Sequence, residues 1–213
     1  MTKRNTLLAS LAVLTVMAAQ PLAAQTEGGQ NTGGQNAARV SARTLPVIGN
    51  TPQVCAMERG RIQGGALINI NGLDGDTLRI LQLTDPQTLA ARAASATISF
   101  EAFCNFPHRV RIESQNNGLW PTDGRISAST GGGNFAYALP YAARVTWSDV
   151  NGTLDANAKL RQISNQQVDV GHAAAGDLLL QIDIAQGASN TGVNAPLLAG
   201  AYGDTLRIFL EPR

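Results

Sequence analysis

Two histidines, His108 and His172, and two cysteines, Cys55 and Cys104, are the side chains of this sequence best equipped for chemistry. A serine-type hydrolase needs a nucleophile, a base and an acid that orients the base. The sequence holds no Gly-x-Ser-x-Gly, no Ser-x-x-Lys and no His-Glu-x-x-His. His108 opens an alternating segment and His172 sits among Gly and Ala, so both read as ordinary surface or half-buried histidines. Glu58, Glu101, Glu113 and Glu211 fit strands or strand ends, and no pair among them stands out for glycoside chemistry. Asn69, Asn71, Asp74 and Asp76 form an oxygen-rich cluster of the kind calcium takes. Their spacing is not that of the EF-hand loop, and the closing Glu is absent. Asn and Asp are also what tight turns require. The glycine run Gly131, Gly132, Gly133 lacks the Lys-Ser/Thr pair and the helix of a phosphate loop. Trp120, Trp147, Tyr137 and Tyr141 suit a sugar site, and equally suit packing across strands. The expectation is no enzyme, no cofactor and no metal.

The cysteines must be read through the compartment, which the N-terminus indicates. Lys3 and Arg4 precede an uncharged, mostly apolar run from Thr6 to Ala19, then Pro21 and Leu22-Ala23-Ala24. That is a signal peptide with cleavage after Ala24. The run is short for a span of ~30 Å, and no basic stop-transfer cluster follows it, so no transmembrane span is expected after its removal. Export places Cys55 and Cys104 in an oxidising environment, where an isolated pair is most simply one disulfide; two buried free thiols are the alternative. A bridge closing a loop of about 50 residues contributes ~4 kcal/mol in the chain-entropy picture. The formal charge is +1 for the whole chain. Losing Lys3 and Arg4 leaves 14 cations against 15 acids, so nothing argues for nucleic acid.

The elements that would position these groups are strands. The 213 residues, 44% hydrophobic and 15% charged, suit one domain behind a leader. Residues 25–38, rich in Gly, Gln and Asn, read as a flexible leader, and 39–213 as the domain. Across residues 39–54 Pro46 and Pro52 forbid a helix. Ala94, Ala96, Ile98, Phe100, Ala102 and Cys104 then alternate with polar residues, the period of a half-buried strand. The same period recurs at His108–Glu113, Phe135–Leu139, Tyr141–Trp147, Leu178–Ile184 and Leu206–Leu210. Asn71-Gly72, Asp74-Gly75, Asn117-Gly118, Asp123-Gly124 and Asn151-Gly152 read as turns between strands. One helical turn is expected after Asp85-Pro86, through Gln87 to Arg92. The hexapeptide Gly-Asp-Thr-Leu-Arg-Ile stands at Gly75 and again at Gly203, read as two turns feeding two core strands. The fold class is all-β, a sandwich.

The signal peptide, the polar extension, the early Cys and the second Cys closing an alternating strand form a recognisable layout. The last strand is introduced by Ala199-Gly200-Ala201-Tyr202-Gly203-Asp204. Together these resemble the spore coat protein U / Csu-type fimbrial subunits of bacteria, whose final strand follows an Ala-Gly-x-Tyr-x-Asp pattern. The resemblance extends in layout from about Arg39 to Arg213. It implies an immunoglobulin-like β-sandwich lacking one strand, which a donor strand from a neighbouring fibre subunit completes. It further implies a periplasmic chaperone and an outer-membrane usher as partners, and a route through the periplasm to the cell surface. Under it, Val40, Ala42, Leu45 and Val47 of the extension 39–54 are the donor side chains. Tyr202, Asp204, Leu206, Ile208 and Leu210 form the C-terminal core strand, with Thr205 and Arg207 turned outward. The extension departs from an ideal donor, because its alternation slips near Leu45 and Pro46 removes a ladder donor. The alternative is a self-complete, monomeric secreted or periplasmic sandwich that binds a glycan or an envelope partner.

Overall fold

Alternation of apolar and polar side chains governs the fold, as the computed structural model shows for residues 43–63, 67–124, 126–127, 130 and 133–213. The segments expected to be a signal peptide and a leader, with Val40 and Ala42, lie outside the described residues. The chain divides into two units, Met1–Ile48 and Gly49–Arg213. Of the first unit, residues 43–48 are described. They form neither helix nor strand, and Leu45, Val47 and Ile48 are 84%, 91% and 94% exposed.

The second unit is all-β. In chain order its strands are β1 (Cys55–Met57), β2 (Arg61–Ile62), β3 (Ile70–Asp74), β4 (Thr77–Ile80), β5 (Ala94–Cys104), β6 (His108–Ser114) and β7 (Trp120–Pro121). They continue as β8 (Tyr141–Trp147), β9 (Val150–Ala156), β10 (Ser164–Val170), β11 (Ala174–Ile184), β12 (Tyr202–Gly203) and β13 (Leu206–Pro212). One sheet runs β1-β5-β11-β8-β9, with β2 also on β5; the facing sheet runs β10-β6-β13, and β3-β4 and β7-β12 are separate two-stranded pairs. All the strand pairs are antiparallel.

The inward faces are those that the alternation marks. Ala96, Ile98 and Ala102 of β5, Val110 and Ile112 of β6, Ala143, Val145 and Trp147 of β8, and Leu178 and Leu180 of β11 are buried together. Fully burying one large apolar side chain contributes about 1.5–3 kcal/mol, so this layer between two sheets supplies the driving force. The disulfide joins Cys55 to Cys104 and fixes β1 against the end of β5, where those two residues are also register partners.

Several local expectations fail for identifiable reasons. The helical turn at Asp85 forms but stops short of Arg92: Asp85 Oδ1 caps it, accepting from Gln87 N at 3.0 Å and Thr88 N at 2.9 Å, and Leu89 N donates to Asp85 O at 2.8 Å, but Leu89 takes φ of 59° and ends it after that one turn. The Thr88 and Gln87 amides also hold the exposed Asp85 carboxyl below the usual carboxylate range. Asn151-Gly152 lies inside β9, and the chain reverses instead at Ser148-Asp149. Asn71-Gly72 likewise lies inside β3, where Gly72 accompanies a register shift rather than a reversal. Residues 135–139 form no strand, only isolated bridges at Ala136 and Leu139. There Ala136, Ala138 and Leu139 are buried while Phe135 is exposed, and Ala136 pairs its backbone with the neighbouring segment through Pro196 O and Leu198 N. The C-terminal strand is divided: Tyr202 belongs to β12, and β13 begins at Leu206.

Candidate functional site

The two flanks of the sandwich differ. On one, β9 and β10 come together so closely that a Cβ on Gly152 would sit 2.3 Å from Val168 Cγ2. That contact explains a glycine in mid-strand: it admits the neighbouring side chain and closes the corner. On the other flank, β13 ends its sheet and has β6 as its one strand partner among the described residues. Facing it, the edge of β5 is already covered. Cys55–Met57 and Arg61–Ile62 pair along it, and Ile68 bonds Ser95 in both directions at 2.8 and 3.0 Å.

The direction of the free groups on β13 follows from one hydrogen bond. Gln115 N donates to Thr205 O at 2.9 Å, so the main chain of Thr205 turns towards β6. In an antiparallel ladder the next residue turns away, and the alternation continues. Leu206, Ile208 and Leu210 therefore direct N–H and C=O to the open edge. Their side chains turn inward and pack against the core, yet all three remain only half-buried, whereas Thr205 and Arg207 are exposed.

Beneath that edge lies an apolar cleft of about 550 Å³. Ile98 and Phe100 of β5 and Leu180, Ile182 and Ile184 of β11 form one wall, Leu206 and Ile208 the opposite one, and Leu73, Leu78 and Ile80 of the β3-β4 hairpin a third. The cleft is the part of the core layer that the described residues do not fill. An unpaired edge over unfilled apolar surface is a template for another strand.

Asp204 anchors the start of this edge. Its Oδ2 accepts from Ser114 Oγ at 2.5 Å and from Tyr141 Oη at 2.7 Å. Its Oδ1 accepts from Asn116 N at 2.9 Å, Asn116 Nδ2 at 3.1 Å and Thr205 N at 2.8 Å. Charge-assisted bonds of this kind are the strong ones. They tie the approach to β13, two residues before its start, to the end of β6 and the start of β8. Burial, and then the neighbouring Asp204 carboxylate, push the Tyr141 hydroxyl well above its ordinary range.

The groups with catalytic or metal-binding types are otherwise engaged. His108 is fully buried, its Nδ1 2.8 Å from Phe106 O and its ring 4.8 Å from that of Trp147. His172 lies on the surface with Ser148 Oγ at 3.2 Å and Asp149 Oδ1 at 3.7 Å from the same Nε2. In a catalytic triad the acid orients the ring through the other nitrogen, so this trio lacks the required arrangement. Asn69 uses its amide on Gln82 N at 3.0 Å, Gln82 O at 2.7 Å and Ala93 O at 3.2 Å, which explains its place before the hairpin without an ion. Among the described residues no three metal-ligating side chains converge, and no helix is long and apolar enough to cross a membrane. The aromatic residues named from sequence do not assemble into one site. Trp120 meets Tyr137 edge-on at 5.9 Å, whereas Trp147 packs against His108 and Tyr141 bonds Asp204.

Of the residues singled out from sequence, Leu206 and Ile208 line the cleft, Leu210 continues their face and Asp204 anchors it. Tyr202 stands apart on β12, its hydroxyl donating to Leu198 O at 2.8 Å. Sequence reasoning missed Ser114, Asn116 and the hairpin wall; the repeated hexapeptide was the one signal pointing to the hairpin. No family model matches the chain, and no curated protein matches it in sequence.

Proposed function

We propose that this chain is an exported structural subunit of a surface fibre, and that the cleft beneath β13 receives an extended segment of a neighbouring copy. The observation that carries the reading is the free edge of β13 above unfilled apolar core. The supply side is consistent with it: Leu45, Val47 and Ile48 are large apolar side chains exposed to solvent on a stretch without secondary structure. Each such side chain moved from water into a cleft of this kind gains about 1.5–3 kcal/mol, and the strand edge adds ladder hydrogen bonds. In this reading the immunoglobulin-like sandwich is one strand short by itself, the chaperone occupies the cleft in transit and the usher exchanges it for the next subunit. The apolar lining fits a strand better than a glycan.

Light scattering on the mature chain, with and without residues 25–48, tests the proposal. The expected result is concentration-dependent oligomers from the mature chain and none from the truncated one. A mature chain that stays monomeric at high concentration, while truncation destabilises it, overturns the proposal in favour of a segment that folds back on its own domain.

A further inference from the structure

The sequence repeats Gly-Asp-Thr-Leu-Arg-Ile, and the fibre reading uses only the second copy. In the fold the first copy forms the hairpin turn and β4, the second leads into β13, and both line the same cleft. The correspondence holds position by position. In the second copy Thr205 turns its carbonyl to β6, so Leu206 and Ile208 turn their main chain to the open edge. In the first copy the two-residue turn Gly75-Asp76 closes Asp74 on Thr77, with Gly75 at φ 60° as such hairpins require. At the other end Leu81 N donates to Asn69 O at 2.9 Å. Thr77, Arg79 and Leu81 therefore bond towards β3. Leu78 and Ile80 turn the other way, to a side without a strand partner among the described residues. Leu78 and Ile80 line the cleft as Leu206 and Ile208 do, while Arg79 and Arg207 are exposed.

Two edges of one design thus border one cleft. A strand bonded along a single side still presents a row of unpaired groups on its other side. We propose that β4 is a second receiving edge: the segment of a second copy that fills the cleft, residues 38–48, pairs with the main chain of Leu78 and Ile80 as well as with that of Leu206 and Ile208. This rests on the fibre reading and adds to it a specific role for the hairpin.

Residue-resolved hydrogen exchange tests it. The mature chain, residues 25–213, is kept dilute and given an excess of a synthetic peptide of residues 38–48. The expected result is at least about tenfold slower exchange at the amides of Leu78 and Ile80 together with those of Leu206 and Ile208, since a net hydrogen bond of about 1.5 kcal/mol is a factor of roughly ten. Slowing at Leu206 and Ile208 alone overturns the role of β4 and leaves the fibre reading standing. No slowing at any of the four amides overturns both.

Discussion

Asp204 shows what one side chain does for the acceptor edge. It sits between two short strands, and its carboxylate gathers donors from Ser114, Asn116, Tyr141 and Thr205. Asp204→Asn replaces one acceptor oxygen by an NH2 that cannot accept from Ser114 or Tyr141. The expected loss is about 2–3 kcal/mol in urea unfolding of the mature chain, the range for bonds to a charged group plus a donor left unpaired. Tyr141 adds a pH signature. Its hydroxyl is held protonated above the unfolded value of 10.0, so above that pH the unfolded chain releases a proton that the folded chain keeps. Stability is therefore fully present below about pH 10 and falls as the pH rises beyond it, by up to about 1.4 kcal/mol per unit for this group. Tyr202, raised to about 12 by burial and then by Asp123, acts in the same direction, more weakly because solvent screens it. Thermal melts from pH 9 to 11 should show a shallower decline for Tyr141→Phe than for the native chain; parallel declines would refute the assignment. The sequence motif pointed to Asp204. It did not name its partners, because Ser114 lies 90 residues away and nothing local to either residue links them.

Among the elements, β13 is the most informative. Its alternation is legible from Leu206 to Leu210, and the structure keeps those side chains on the core side. What period alone does not carry is the extent of burial: a strand on a closed flank and one over an open cleft have the same pattern. Ile208→Asp should abolish soluble accumulation, since it places a carboxylate without a partner against the apolar layer. Arg207→Ser should change stability by no more than about 1 kcal/mol, because Arg207 is itself exposed, its ion pair to Glu113 is long at 3.4 Å, and Glu113 keeps Arg111 at 2.7 Å. Comparing the soluble yields of the two variants checks the face, and equal tolerance would reverse it. Strands β9 and β10 were illegible for complementary reasons. Asn151-Gly152 imitates a hairpin turn, although that glycine serves the approach of Val168. Ser164–Val170 is polar but for Val168 and Val170, too few to show a period, and its main chain pairs with β6 along seven positions.

For the whole molecule, composition and period sufficed for an all-β sandwich, and the cysteine pair for its one covalent tie. Strand order was not legible, because alternation assigns a face to each strand and says nothing of its neighbours. The difference between the two flanks follows from that order: β9 and β10 meet at one corner, while β13 has β6 as its one strand partner among the described residues. The functional reading depends on this asymmetry, and it emerged only when the registers placed the two copies of the hexapeptide around one cleft.

The disulfide also has a mechanical meaning. A pull on the chain ahead of Cys55 does not have to strip the three-residue β1 from its neighbour, because the sulfur bridge passes the load directly to Cys104. From there it runs along β5, whose eleven residues are all paired with β11. Bonds perpendicular to a strand share a load directed along it, so the rungs resist together in shear. A sideways pull on the C-terminus would open β13 from Pro212 one rung at a time. A fibre whose tension enters through the N-terminal segment would thus be loaded on its strong axis, and reducing the bridge would transfer that tension to the three residues of β1.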